Sequence, residues 1–193
     1  VSIQLEKMQK KIESHTVELK NLAHYDSLTG LSNRHRILEE IHVSLRDATK
    51  LNGFFALLFI DLDNFKRIND SLGHGAGDEL LIAVSKRLNS CVRSTDVVGR
   101  LGGDEFCIIV NNLKKEGDGA SVASNVLNVL KLPIHVQRTE VIVSASIGIV
   151  LAPQDGDSIK DLLQNADLAM YRAKALGRNK FQLFYPALSE IAA

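Results

Sequence analysis

The stretch Gly102-Gly103-Asp104-Glu105-Phe106 lies between two segments with the residue pattern of strands, 96–101 and 106–110. Glycines between strand patterns predict a hairpin turn, and their missing side chains allow the backbone to approach a ligand closely. The carboxylates of Asp104 and Glu105 are hard oxygen ligands of the kind that Mg²⁺ binds together with substrate phosphates. A Gly-Gly-Asp turn without such a role is also common, so its meaning depends on the rest of the chain.

The composition is that of one folded domain with an additional segment. The 193 residues are 45% hydrophobic and carry 23 basic and 23 acidic side chains, so the chain can bury a core. A net charge of zero argues against general binding of nucleic acid. The longest apolar run, 54–60, is too short to serve as a membrane segment.

The two cysteines, Cys91 and Cys107, lack the spacing of zinc ligands and are typical of buried thiols in a reducing compartment. No signal-peptide pattern is present. We therefore expect a cytoplasmic domain, whether or not the parent protein is attached to a membrane. Because the first residue is Val1 rather than methionine, we expect an excised or processed piece of a longer protein.

Residues 1–23 differ from the remainder of the chain. Their seam positions alternate in steps of three and four among charged residues: Leu5, Met8, Ile12, His15, Leu19 and Leu22. This heptad pattern predicts either a parallel coiled coil that pairs two chains and delivers a signal, or a single amphipathic helix packed on its own domain. The spacing does not decide between the two.

Helical and strand patterns alternate after Tyr25. Helices are predicted over 33–49, 77–92, 120–130 and 159–176, and strands over 54–61, 96–101, 106–110, 141–150 and 180–184. Since the strands on either side of Gly102 form a hairpin, they must be antiparallel, and the sheet is predicted to be mixed.

Two carboxylates, Asp61 and Asp63, follow the buried strand 54–61. Residues two apart share a face if the strand persists, and a rigid strand that ends in acidic residues suits a metal site. A solvated Asp-x-Asp turn is the alternative. The backbone amides of residues 64–66 and the side chain of Lys66 are candidates for phosphate contacts, in a loop that leads toward a helix.

Polar residues with base-reading chemistry follow in 69–78. An amide such as Asn69 both donates and accepts hydrogen bonds, whereas the carboxylate of Asp78 only accepts, and together they suit the edge of guanine. In the alternative, Asp78 caps a helix that starts at Glu79 and Asn69 shapes a turn. His74 either contacts the base or supports the loop.

Two basic residues near the end of the last predicted helix, Lys174 and Arg178, are four residues apart. This spacing places side chains on one helix face, although Gly177 is expected to end the helix before Arg178. Both bring positive charge toward polyphosphate, and the guanidinium can contact it with two hydrogen bonds. Compensation of the helix dipole would produce the same pattern.

Taken together, these motifs resemble those of the GGDEF family of diguanylate cyclases, from about Ala23 to Phe184. The matching pieces are Asp26-Ser27-Leu28-Thr29-Gly30-Leu31-Ser32-Asn33-Arg34, residues 61–78, residues 102–106, Ser146-Ile147-Gly148 and residues 166–179. The resemblance implies an α+β fold related to polymerase palms and nucleotidyl cyclases. Its sheet would be mixed, mainly antiparallel and five-stranded, wrapped by helices and preceded by an N-terminal signalling helix.

The resemblance also implies roles for individual residues. Mg²⁺ (or Mn²⁺) would be bound by Asp61, Asp104 and the main-chain carbonyl of Leu62, with Glu105 as a further metal or catalytic carboxylate. The residues expected to bind GTP are Asn64, Phe65, Lys66, Asn69, His74, Asp78, Lys174 and Arg178. Among them, Asn69 and Asp78 would read guanine with His74 nearby, and the others would contact phosphates.

The implied reaction condenses two GTP into cyclic di-GMP and two pyrophosphates across a homodimer of such domains. Arg93 and Asp96 precede Gly102 at the spacing of the family's RxxD inhibitory site, where they would bind the product. A surface ion pair of little energetic weight is the alternative.

The predicted organisation is an N-terminal helix over 1–23, the GGDEF domain over 24–185, and the start of a linker over 186–193. The last segment resembles the linker that leads into an EAL phosphodiesterase domain in tandem proteins. A second hypothesis therefore stands beside the active cyclase: a catalytically silent GTP-binding domain that regulates an attached phosphodiesterase.

Overall fold

The computed structural model describes residues 2–191, so Val1 of the predicted N-terminal helix and residues 192–193 of the predicted linker lie outside it. The helices are α1 (Ser2–His24), α2 (Arg34–Lys50), α3 (Phe65–Leu72), α4 (His74–Ser90), α5 (Asp118–Leu130), α6 (Ile159–Ala175) and α7 (Ala187–Ile191). The strands are β1 (Phe55–Leu62), β2 (Val97–Gly102), β3 (Glu105–Val110), β4 (Ile134–Val136), β5 (Thr139–Val141), β6 (Ala145–Ala152) and β7 (Lys180–Leu183).

The main sheet has five strands in the order β2-β3-β1-β6-β7. Strand β1 pairs antiparallel with both β3 and β6, and only β6 and β7 run parallel. The predicted mixed, mainly antiparallel five-stranded sheet is therefore confirmed.

Strand β1 lies at the centre of the core, and all eight of its residues are buried. Because side chains alternate across a strand, Ala56, Leu58 and Ile60 join one hydrophobic cluster. Their neighbours Phe55, Leu57 and Phe59 join a second cluster on the other face. Helices α4 and α5 contribute to the first cluster, and α2 and α6 to the second. This packing fixes the ends of β1 rigidly.

Several predicted boundaries were wrong. Helix α4 begins at His74 with Gly73 before it, so Asp78 lies within the helix and does not cap it. The short helix α3 is not among the predicted helices, and it begins at Phe65, within the segment 64–66 that is predicted as a loop leading toward a helix. The predicted strand 141–150 is split between β5 and β6, and the β4–β5 hairpin was also missed.

Helix α1 leaves its apolar seam exposed. The exposed fractions are 55% for Leu5, 60% for Ile12 and 66% for Leu19. The domain holds the end of the helix through hydrogen bonds from Asn33 to the carbonyl oxygens of Ala23 and His24. Among the described residues, no helix has the length and apolar character needed to cross a membrane. The seam is therefore not packed on its own domain.

Candidate active site

The ends of two central strands bring acidic residues together. Across the antiparallel β1–β3 pair, Asp61 faces Glu105, and the backbone N–H of Leu62 donates to the carbonyl of Asp104 at 3.2 Å. The hairpin before β3 turns through Gly102 and Gly103, whose φ angles of 145° and 50° are unfavourable for residues with a side chain. The predicted Gly-Gly turn therefore delivers Asp104 beside the end of β1.

Most of the predicted site residues line one cavity of about 190 Å³. Its lining consists of Asp61, Leu62, Asp63, Asn64, Phe65, Lys66, Asp104, Lys174 and Arg178. These residues come from β1, the start of α3, the hairpin and the end of α6. The first and the last of them, Asp61 and Arg178, are more than a hundred positions apart in the chain. The fold thus assembles the acidic and basic motifs at one place.

The charges in this cavity are unevenly balanced. The ammonium of Lys174 lies 3.0 Å from Oδ1 of Asp61. Burial, together with the nearby carboxylates of Asp104 and Asp63, nevertheless raises the pKa of Asp61. Burial and the carboxylates of Asp61 and Asp104 likewise raise the pKa of Glu105. In the described residues, Lys174 is the one basic side chain that forms an ion pair with these carboxylates, so acidic oxygens remain for an additional cation.

The donor chemistry fits Mg²⁺. Carboxylate oxygens and a main-chain carbonyl are the hard ligands that this ion prefers, usually in small numbers together with phosphate or water. The carboxylates of Asp61, Asp104 and Glu105 are too far apart for one oxygen from each to lie within 4.8 Å of the other two. In the described residues, one group of three potential ligand side chains meets that distance, and it lies elsewhere. This open arrangement leaves room for oxygens from a substrate.

Asp63 has a structural role that the sequence did not reveal. Strand β1 ends at Leu62, so Asp63 does not continue the strand as a second metal-facing carboxylate. Its buried carboxylate accepts hydrogen bonds from Ser144 Oγ at 2.6 Å, Ser146 Oγ at 2.7 Å and the backbone N–H of Asn179 at 3.0 Å. Asp63 therefore connects the end of β1 to β6 and to the residue that follows Arg178.

The turn after β1 presents backbone and basic groups to the cavity. Asn64 has a left-handed backbone with φ of 59° and precedes the first turn of α3. Phe65 is buried and anchors this turn, whereas Lys66 is exposed. At the other side, α6 ends at Ala175, and Arg178 stands in the left-handed region beyond Gly177, as expected.

The predicted base-reading residues are not part of the lining of this cavity. Asn69 is on α3, and His74 and Asp78 are exposed on α4. Among the described side chains, Oδ1 of Asn69 is the one buried polar atom without a hydrogen-bond partner. It packs so closely on Gly77 that a Cβ there would clash with it. An unsatisfied acceptor of this kind often marks a functional position.

Arg93 and Asp96 form a local unit away from the cavity. Arg93 Nε lies 3.4 Å from Asp96 Oδ2, and the arginine side chain is 55% exposed whereas the aspartate side chain is fully buried. Asp96 also accepts the backbone N–H groups of Arg93 and Asn111, at 2.9 and 3.1 Å. Asp96 thus shapes the turn, and Arg93 is available to a ligand.

The family of the chain follows from comparison with known proteins. The family model described as "Diguanylate cyclase, GGDEF domain" matches residues 23–180. The chain belongs to the GGDEF family. A solved structure of the isolated GGDEF domain of TpbB (YfiN) from Pseudomonas aeruginosa supports this assignment. It has a TM-score of 0.85 and 39% sequence identity, over 88% of this chain and 99% of that one.

Curated relatives of this GGDEF domain are longer proteins. The chain is 43% identical to the cyclic di-GMP phosphodiesterase NbdA of P. aeruginosa over 167 residues, which are 86% of this chain and 21% of the relative. It is 39% identical to the diguanylate cyclase TpbB of the same organism over 181 residues, or 93% of this chain and 42% of the relative. The chain thus spans less than half of either relative.

Proposed function

We propose that this GGDEF domain is a diguanylate cyclase that condenses two GTP into cyclic di-GMP and two pyrophosphates. The proposal rests above all on one observation: Asp61 and Asp104 line the same small cavity as the basic residues Lys174 and Arg178. Acidic residues suited to a divalent ion and basic residues suited to polyphosphate are the two requirements of nucleotidyl transfer. The relationship to the diguanylate cyclase TpbB supports the same activity.

We assign the metal ligands to Asp61, Asp104 and the carbonyl of Leu62. Mg²⁺ or Mn²⁺, when bound, would neutralise phosphate charge, polarise the phosphorus and acidify the attacking hydroxyl. Glu105, opposite Asp61 in the sheet, is a further carboxylate for metal or proton. Its raised pKa favours a group that can hold a proton at the edge of the site.

Substrate contacts are divided between two groups of residues. Lys66, Lys174, Arg178 and the turn at Asn64 and Phe65 would hold the phosphates, with the amides at the start of α3 as additional donors. Lys174 contacts Asp61 at 3.0 Å, and a bound ion and triphosphate would provide each of these two side chains with a new partner.

The base would be read by Asn69 and Asp78, with His74 close by. Guanine N1–H and its exocyclic amine are donors, and the amide oxygen of Asn69 and the carboxylate of Asp78 are the proposed acceptors. Because Oδ1 of Asn69 is buried against Gly77, this assignment requires the amide to turn toward the base when the nucleotide binds. This assignment predicts that adenine nucleotides bind more weakly, because their Watson–Crick edge presents a different pattern.

The reaction requires two domains. Each holds one GTP, and the 3′-hydroxyl of one nucleotide attacks the α-phosphorus of the other as pyrophosphate leaves. Juxtaposing the two reactants can contribute about 7–11 kcal/mol at best. The exposed seam of α1, with Leu5, Ile12 and Leu19 at its surface, supports a parallel coiled coil as the means of pairing. Residues 1–23 would then be the signalling helix, 24–185 the cyclase domain, and 186–193 the start of a linker.

We further propose product feedback at Arg93 and Asp96. The exposed guanidinium of Arg93 is held next to the buried carboxylate of Asp96, which orients it for a guanine edge. Cyclic di-GMP would thus be both product and inhibitor.

The similarity to the phosphodiesterase NbdA, of which this chain matches only 21%, favours a second candidate. In that alternative the domain binds GTP without turnover and regulates an attached EAL phosphodiesterase. Incubating the purified domain with GTP and Mg²⁺ and measuring cyclic di-GMP distinguishes the two. Accumulation of product supports the cyclase, and saturable GTP binding without product supports the regulatory domain.

A further inference from the structure

Three potential metal ligands meet where α1 joins the domain. His24 is the last residue of α1, and His35 and Glu39 are one turn apart on α2. Nδ1 of His24 lies 3.5 Å from one carboxylate oxygen of Glu39, and Nε2 of His35 lies 3.3 Å from the other. One ligand atom from each residue falls within 4.8 Å of the others. No step of the cyclase reaction uses these side chains.

We propose that these residues form a binding site for Zn²⁺ or a similar transition-metal ion. Two imidazoles and a carboxylate are a ligand set that proteins use for zinc with one position left to water. With metal–ligand distances of about 2.0–2.1 Å, neighbouring ligand atoms in a tetrahedron are separated by about 3.3–3.4 Å. The His–Glu separations of 3.3 and 3.5 Å, each to a different carboxylate oxygen of Glu39, are close to this spacing.

Backbone hydrogen bonds fix the junction between the two helices that carry these ligands. Asn33 caps α2 by accepting the N–H of Arg36 at 3.0 Å, and its amide donates to the carbonyl of Ala23 at 3.0 Å. The backbone N–H of Asn33 also donates to the carbonyl of His24 at 2.9 Å. The end of α1 and the start of α2 are thereby fixed relative to each other, and sites on such rigid elements lose little order on binding.

An ordinary ion-pair cluster explains the arrangement less well. Both imidazoles converge on a single carboxylate, and their rings stack with centroids 5.9 Å apart. Exposed ion pairs of this kind contribute little to stability, so pairing alone gives no reason for two imidazoles to meet at one carboxylate. A divalent ion bound by all three side chains does give a reason.

The bound ion would fasten the signalling helix to the domain. His24 belongs to α1, whereas His35 and Glu39 belong to the domain that carries the active site, so coordination crosslinks the two at their junction. Because the borderline ligands of this site favour zinc over Mg²⁺, the site is chemically distinct from the acidic cavity at Asp61.

Zinc titration of the tag-free chain tests the proposal. In the presence of excess Mg²⁺, isothermal titration calorimetry should give one zinc ion per chain. His35→Ala and Glu39→Gln should each weaken zinc binding by at least about 10-fold, the loss that removal of an outer-shell partner already produces. His42→Ala is the matched control, because this histidine is exposed on the same helix but lies outside the trio; its zinc affinity should equal that of the parent.

Side-chain NMR of ¹⁵N-labelled histidine provides a second readout. On addition of zinc, the ring nitrogens of two histidines should shift, and both shifts should be absent in Glu39→Gln at the same zinc concentration. Asp104→Ala should retain full zinc affinity, which separates this site from the proposed cyclase centre. The proposal is overturned if the parent binds no zinc, if His35→Ala and Glu39→Gln bind it like the parent, or if His42→Ala weakens binding equally.

Discussion

Arg100 donates from Nη1 to both carboxylate oxygens of Asp26, at 3.1 Å each, across 74 positions of the chain. Its Nε donates to the carbonyl of Gly103 at 3.0 Å. Asp26 in turn accepts hydrogen bonds from the backbone and hydroxyl of Thr29. One guanidinium thus connects the turn after α1 to the hairpin that carries Asp104. The sequence motif that contains Asp26 and the Gly-Gly hairpin motif therefore stabilise the same part of the fold.

Removing this guanidinium should destabilise the domain. Because the side chains of Arg100 and Asp26 are only 13% and 20% exposed, Arg100→Ala leaves a largely buried carboxylate without its partner. We expect a loss of about 1–3 kcal/mol in the free energy of unfolding, measured by urea denaturation. Arg46→Ala is the control, since the Arg46–Asp47 pair is 52% exposed on each side and its loss should cost at most about 1 kcal/mol. Equal effects of the two variants would contradict the structural role of Arg100.

Asp26 should contribute to acid sensitivity. Burial acts to raise the pKa of Asp26, but hydrogen bonds from Thr29 and Arg100 outweigh it, and the pKa is lowered. An unfolded aspartate has a pKa of about 3.9, so the unfolded chain takes up this proton first as the pH falls. The stabilisation is therefore complete above about pH 4 and is lost below it.

The test of this linkage is Asp26→Asn. At neutral pH the variant should be less stable than the parent, and the difference should shrink when urea unfolding is repeated near pH 3. Comparing the two proteins cancels the opposite contributions of Asp61 and Glu105, whose pKa values are raised. A stability difference that is independent of pH would show that charge on Asp26 is not responsible.

Glu105→Gln should make the domain more stable and less active. Burial and the carboxylates of Asp61 and Asp104 raise the pKa of Glu105, so its ionised form is unfavourable in the folded state above the unfolded pKa of about 4.3. At pH 7 without metal we expect Tm to rise above that of the parent. The gain should vanish on acidification, as both states become protonated.

Thermal unfolding with and without Mg²⁺ measures this effect. Glu140→Gln, an exposed carboxylate on β5, is the control and should leave Tm nearly unchanged. A lower Tm for Glu105→Gln at pH 7 without metal would contradict the inferred repulsion between Glu105 and the carboxylates of Asp61 and Asp104.

Arg93→Ala tests the proposed product site with little risk to the fold. The Arg93 side chain is 55% exposed, whereas the Asp96 side chain is fully buried and holds two backbone N–H groups. The arginine variant should keep its initial rate of cyclic di-GMP synthesis and lose inhibition by added product. Superimposable inhibition curves for variant and parent would show that the product does not act through Arg93.

The sequence predicted those features that depend on local patterns. The continuous apolar run of β1 and the Gly-Gly hairpin follow from residue periodicity and turn chemistry. The β4–β5 hairpin was missed because its turn uses Gln137 and Arg138 in left-handed conformations, and these residues do not signal a turn.

Long-range partnerships could not be read from spacing. Asp63 was grouped with Asp61 as a possible ligand pair, yet its partners are Ser144, Ser146 and Asn179. The one signal for these partners in the sequence was that Ser144 and Ser146 are two positions apart in a segment, 141–150, that is otherwise apolar. Similarly, nothing local connects Asp26 to Arg100, because the sheet must form before their side chains meet.

The most direct test of the proposed function is the synthesis of cyclic di-GMP from GTP and Mg²⁺ by the parent and by Asp104→Ala, at several protein concentrations. We predict that the parent forms product with a specific activity that rises with concentration, since two domains must meet. Asp104→Ala should form none while its thermal unfolding remains cooperative. Product formation by Asp104→Ala at the parent's rate, or GTP binding by the parent without any product, would contradict the account.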